Sequence, residues 1–245
     1  MKKQYILHLV LSQCIIFIFP FVTVNAQGWE KTYNGLGSAD GHTVQQTADG
    51  GYIIIASTKA AGLKSLAYLI KTDPNGDTLW TKAYKGASLN TYGRYGHQTA
   101  DGGYIIAGHT ESSPGSNVSG YLIKTDPLGD TLWTKSYVDY VNSVQQTTDG
   151  GYVVAVSTNV GSYLIKTDTN GNTLWSKTYG NNSDVFRSVR QTTDGGYIIA
   201  GVTSSFGAGI QDVYLLRTNM NGDSLWAKAY GGSYDRCRIF RTANY

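Results

Sequence analysis

Tyr68-Leu69-Ile70-Lys71-Thr72-Asp73-Pro74-Asn75-Gly76-Asp77-Thr78-Leu79-Trp80 is the stretch from which the fold can be read. Its two ends are rich in β-branched and aromatic residues, and its middle is a turn. Pro74 sits where a type I turn wants a fixed φ, and Gly76 where the following bulge needs φ above zero, so the two arms must fold back as a tight hairpin. The same text returns from Tyr121, Tyr163 and Tyr214. The turns Asp126-Pro127-Leu128-Gly129, Asp168-Thr169-Asn170-Gly171 and Asn219-Met220-Asn221-Gly222 keep the glycine and the polar first position.

A second block, Gln46-Thr47-Ala48-Asp49-Gly50-Gly51-Tyr52-Ile53-Ile54, returns with small changes from Gln98, Gln146 and Gln191. Tryptophans stand at 29, 80, 133, 175 and 226, a repeat of 42 to 53 residues. Each copy divides into four short extended segments, here called A to D, which in the first copy run near 42–47, 51–58, 67–72 and 77–84. Asp49-Gly50-Gly51 turns A into B as the proline-glycine turn joins C to D. A repeated, all-β meander of four strands is the pattern of a β-propeller blade. Apolar residues on both faces of strands such as Tyr-Ile-Ile-Ala require a neighbour on each side, because burying that surface is worth roughly 25 cal/mol per Å². A β-helix or other linear solenoid fits less well, since its repeats are shorter and lack paired hairpin turns.

The block from Tyr68 to Trp80 resembles the pyrroloquinoline-quinone-type propeller repeat, in which an Asp, a Gly turn and a Trp form a motif docking one blade on the next. Its Asp to Gly spacing departs from that pattern by one residue. Residues 28 to 245 also look like the secreted propeller-repeat proteins of Bacteroidota, which carry Asp-Gly-Gly-Tyr and Asn-Gly-Asp-Thr-Leu-Trp signatures and often end in a type IX secretion sorting domain; no such terminal domain is visible in this sequence. The resemblance implies a fold and says little of activity, because propellers host many unrelated functions.

Residues 1–26 read as a secretory signal peptide: Lys2 and Lys3, then an apolar stretch from Ile6 to Val24, then Val24-Asn25-Ala26 before Gln27. His8, Gln13 and Pro20 count against a retained membrane anchor, and Gln13 before Cys14 against a lipidation site. The domain 27–245 is therefore expected outside the cytoplasm, secreted or at the cell surface, with no membrane insertion after cleavage. Of the 245 residues, 41% are apolar and 15% charged, with 30 Gly, 19 Tyr and 2 Cys. This composition excludes a disordered chain and a disulfide scaffold, and once the leader is gone only Cys237 is left as a thiol. Without Lys2 and Lys3, 18 basic side chains face 17 acidic ones. Such a balance gives no reason to expect a nucleic-acid partner.

Strand counting predicts four complete blades with pieces of another at both ends. Trp29-Glu30-Lys31-Thr32-Tyr33 reads as a D-type strand without A, B or C before it, and Arg238 to Tyr245 as a worn A-type strand. The expectation is an incomplete ring, from a truncated gene product.

The A segments should line a central channel. Gln45, His97, Gln145 and Arg190, each followed in the chain by a second polar residue, make that channel polar and are the candidate ligand-binding residues. All length variation falls on one rim, in the B to C and D to A connections, of which 111–119 is among the longest; variable loops on one face commonly carry binding. No metal site is expected. Asp73 to Asp77 has its glycine too early for an EF-hand and no bidentate glutamate after it, and His42, His97 and His109 lie at non-equivalent places without zinc-ligand spacing. No nucleophile elbow or phosphate loop is present, and no cofactor is expected, quinone included. The recurrent Trp and Tyr read as blade packing rather than a sugar-stacking stripe. The functional expectation is an exported, non-catalytic binding or scaffolding module for a protein, peptide or glycan. The alternative is part of a glycan-active or quinone-dependent enzyme whose catalytic residues lie elsewhere.

Overall fold

The computed structural model describes residues 29–85, 90–113, 118–158, 161–181 and 184–232. It separates Met1–Glu30 from a compact body, Lys31–Tyr245. The proposed leader and the terminal A-type segment lie outside the described residues. No described helix is long and apolar enough to cross a membrane.

The body is all-β. Sheet 1 holds β1 (Ser38–Gln46), β2 (Tyr52–Lys59), β3 (Leu66–Thr72) and β4 (Thr78–Tyr84). Sheet 2 holds β5 (Asn90–Gln98), β6 (Tyr104–Glu111), β7 (Ser119–Thr125) and β8 (Thr131–Val138). Sheet 3 comprises β9 (Tyr140–Gln146), β10 (Tyr152–Thr158), β11 (Gly161–Thr167) and β12 (Thr173–Tyr179), and sheet 4 β13 (Val185–Gln191), β14 (Tyr197–Thr203), β15 (Asp212–Thr218) and β16 (Ser224–Tyr230). Each sheet is an antiparallel meander in chain order, the blade of a β-propeller. The expected segments A to D are found, with β1 beginning four residues earlier than its sequence pattern suggests.

Both turns are built as the sequence requires. Gly76 has φ 78°, its N–H donates to the Asp73 carbonyl, and the register slips between Lys71 and Thr72. In the A to B turn Gly50 has φ 82°. Gly51 is needed for a different reason: a Cβ there would lie 2.1 Å from the Thr72 carbonyl oxygen and 2.7 Å from Lys71 Nζ. The space serves a buried lysine, which pairs with Asp49 at 2.8 Å and donates to the Thr72 carbonyl at 2.7 Å. Lys124 with Asp101 and Lys166 with Asp149 repeat the arrangement, and Arg217 with Asp194 replaces it in sheet 4.

The core lies between sheets. Alternate residues of one strand point to opposite neighbours, so Ile105 and Ala107 of β6 pack toward sheet 3, while Tyr104 and Ile106 pack toward sheet 1. Val153 and Ala155 of β10 likewise meet Phe186, Val189 and Ile199 of sheet 4, and Val154 and Val156 face sheet 2. Trp80, Trp133 and Trp175 each meet the first tyrosine of the next sheet's second strand edge-on, at 5.7, 5.7 and 5.9 Å. Sheet 1 packs on 2, 2 on 3 and 3 on 4, and among the described residues the arc does not close.

The segment 29–33 corrects one expectation, since it forms no strand. A D strand forms by pairing with a C strand, and no described strand pairs with 29–33. Its side chains nevertheless occupy the D position: Lys31 pairs with Asp77, and the Tyr33 hydroxyl donates to the Gly76 carbonyl at 2.9 Å.

Candidate functional site

The sheets are joined at two levels. On the outside, the Trp-x-Lys-x-Tyr face of one D strand grips the C to D turn of the next sheet. Lys82 Nζ donates to Asp130 at 2.7 Å and the Tyr84 hydroxyl to the Gly129 carbonyl at 2.8 Å, with Trp80 pressed against Gly129. Lys135 with Asn172 and Lys177 with Asp223 occupy the same place at the following junctions.

On the inside, the A strands carry a ladder of side chain to backbone hydrogen bonds. Gln45 Oε1 accepts the Gln98 N–H at 3.0 Å, His97 Nε2 accepts the Gln146 N–H at 3.2 Å, and Gln145 Oε1 accepts the Gln191 N–H at 2.6 Å. The adjoining glutamines complete the ladder in the reverse sense. Gln98, Gln146 and Gln191 each accept an N–H of the preceding sheet, from Ala48, Ala100 and Thr148, and each donates to a glycine carbonyl of its own turn.

Arg190 holds the fourth position of the ladder and has no acceptor atom. Its guanidinium instead donates to its neighbour's carbonyl, Val189 O, at 2.8 Å and reaches from sheet 4 to the Tyr95 hydroxyl of sheet 2 at 2.6 Å, lying 5.6 Å from that ring's centre. Gln45, His97, Gln145 and Arg190 thus come together, with Thr43 and Tyr95 among their neighbours, around one cavity of about 390 Å³. The ladder uses the acceptors and leaves donors. Gln45 Nε2 and Gln145 Nε2 have no partner among the described residues, and a His97 whose Nε2 accepts must carry its proton on Nδ1. Burial, reinforced by the Arg190 charge, pushes the His97 pKa down to about 4, so the ring is neutral at pH 7 and the lasting positive charge is that of Arg190.

Each A strand carries a β-bulge that was not anticipated from the sequence. The register slips at His42, Arg94, Asn142 and Arg187, so in every sheet a polar residue is the extra one. Asn142 Nδ2 donates to the Phe186 carbonyl of the next sheet at 2.7 Å. His42 and Arg94 border a smaller cavity of about 220 Å³ between sheets 1 and 2, beside Lys59 and Tyr92. There His42 Nε2 lies 3.3 Å from Ser57 Oγ and 3.9 Å from Asp40, both on the same nitrogen, whereas a catalytic triad needs the carboxylate on the opposite one. A shared Gly-His and Gly-Arg dipeptide at 41–42 and 93–94 was the only signal for these bulges.

Comparison by sequence finds no matching family model and no matching curated relative. Comparison of folds finds a crystal structure of a protein of unknown function from Dyadobacter fermentans, with TM-score 0.50 and 14% identity over 76% of this chain. This chain spans 62% of that protein. Weaker likenesses include the calcium-binding protein regucalcin from Agrobacterium tumefaciens (TM-score 0.42, 10% identity, 77% of this chain and 73% of that one) and a protein assigned as a gluconolactonase (0.41, 12%, 80% and 79%). At these identities the likeness concerns fold alone. The class defined by fold and blade architecture is the β-propeller.

Proposed function

We propose that this chain is an exported, non-catalytic binding module whose central cavity takes a carboxylate-bearing group of a peptide or glycan. One observation carries the reading: the interblade ladder consumes the acceptors of Gln45, His97 and Gln145 and leaves their N–H groups, with the Arg190 guanidinium, around one cavity. A wall of donors with one fixed cation is complementary to an acceptor-rich anion, and arginine suits carboxylate through its planar fork. Export is supported by the basic, apolar and small-residue order of residues 1–26. Calorimetric titration with uronic acids, and with peptides carrying a free or an amidated C-terminus, tests the site. Arg190→Gln should weaken the best acidic ligand by about tenfold while the fold is retained. Binding that is indifferent to Arg190→Gln, or equal for the acid and its amide, overturns the reading.

A further inference from the structure

The two ends of the arc carry the two halves of an interface that the chain already makes three times. At the junction of sheets 3 and 4, Ala155, Leu164 and Trp175 face Val189, Ile199 and Leu216. The same registers put Ala200, Leu215 and Trp226 on the outward face of sheet 4, together with Lys228 and Tyr230. On sheet 1 they put Val44, Ile54 and Ile70 where Val189, Ile199 and Leu216 stand. The face of sheet 4 is open, with Trp226 39% exposed and Tyr230 52%, whereas Trp175 and Tyr179 at the formed junction are half-buried. That of sheet 1 is open at Val44, 64% exposed, while Ala56, Tyr68 and Ile70 are buried with Tyr33 of the chain's own segment packed against them, so docking there must displace that segment.

We propose that the occupant of these faces is a second copy of this chain, docked head to tail with sheet 4 of one copy on sheet 1 of the other. The argument is continuity with the existing junctions and matching charge. Lys228 stands where Lys82 meets Asp130 and Lys177 meets Asp223, and the corresponding acid on sheet 1 is Asp77. Tyr230 stands where Tyr84 and Tyr179 donate to a turn glycine, and the corresponding carbonyl is that of Gly76. Within one copy Lys31 and Tyr33 hold these two partners, so docking exchanges Lys31 and Tyr33 for Lys228 and Tyr230 of the second copy. Engagement at both ends closes a symmetric pair of eight blades, within the range of propeller rings, and engagement at one end gives open chains.

Sedimentation velocity across a concentration series tests this, with circular dichroism to show that each variant is folded. The protein should move from one chain to two as concentration rises, and Lys31→Ala with Tyr33→Ala should bring the midpoint down about tenfold. Lys228→Asp, on an exposed side chain, should raise it about tenfold, and adding Asp77→Lys to Lys228→Asp should reverse the loss. Larger open assemblies that Lys228→Asp dissolves also support head-to-tail docking. A single chain at every concentration, with and without Lys31 and Tyr33, overturns the proposal, as does an assembly indifferent to Lys228→Asp.

Discussion

His97 stands where the neighbouring sheets carry Gln45 and Gln145, and this one difference gives the ladder a titratable rung. Its Nε2 accepts the Gln146 N–H only while neutral, and burial holds its pKa near 4 against an ordinary 6.5. As pH falls through 6.5 the unfolded chain takes up a proton first, so the stability that this rung contributes is complete above about 6.5 and is lost toward pH 4. The same displacement bounds the loss at about 3 kcal/mol. His42 and His109 are also held below the ordinary value, mainly by burial, and act with the same sign. The informative quantity is therefore a difference. Urea denaturation of His97→Gln, which keeps an acceptor at the same place, should match the native protein near pH 7.5 and exceed its stability near pH 4.5. Parallel pH profiles would show that the ring does not titrate as a rung. At more acid pH a separate term enters, because the hydrogen bond from Lys71 holds Asp49 near 2 rather than 3.8, and the stability this contributes above 3.8 falls away toward 2.

At the scale of strands and turns, the Asp-Gly-Gly signature does three jobs that its residues share out. Asp49 collects Thr47 Oγ1, the Gly51 N–H and Lys71; Gly50 supplies positive φ; Gly51 supplies room. Gly51→Ala drives a methyl into the Thr72 carbonyl and should cost about 2 kcal/mol or more. Gly41→Ala, where an added methyl meets nothing within 4 Å, should stay within about 0.5 kcal/mol. Equal losses in chemical denaturation would mean that the crowding at Gly51 is relieved by movement of the strand. The turns were legible in the sequence because Pro74, Gly76 and Gly50 act locally, through φ, and the strands because apolar residues recur on both faces. Gln45, His97, Gln145 and Arg190 could be placed around one channel because equivalent positions in a repeat point the same way. The use of Gln45, His97 and Gln145 as acceptors for the next sheet was not legible, since it depends on how far one A strand lies from another. The bulges at His42 and Arg94 were hidden for a related reason: a slip of register leaves composition and alternation almost unchanged. The failure of 29–33 to form a strand reflects pairing, which no single segment carries.

For the molecule as a whole, three cores lie at the junctions, a smaller one of Ala56, Tyr68 and Ile70 lies on the outer side of sheet 1 under Tyr33, and among the described residues no core links the first sheet to the fourth. A structure in which each unit touches only its neighbours has a stability close to a sum of unit and junction terms, and its ends open at less cost than its middle. The burial pattern already has this gradient. β10 is buried along nearly its whole length between two neighbours, β14 alternates between buried and half-buried residues, and β1 and β16 are largely exposed. Hydrogen exchange followed by mass spectrometry should therefore find the slowest amides in β6 and β10, and the fastest strand amides in β1 and β16. At concentrations where the protein is a single chain, that order belongs to the open arc. If two copies join end to end, β1 and β16 become interior strands, and their exchange should slow with rising concentration while that of β6 and β10 stays the same. Uniform protection across all sixteen strands at low concentration would mean that the arc opens as one cooperative unit, and that the junctions are not the separable elements their three cores imply.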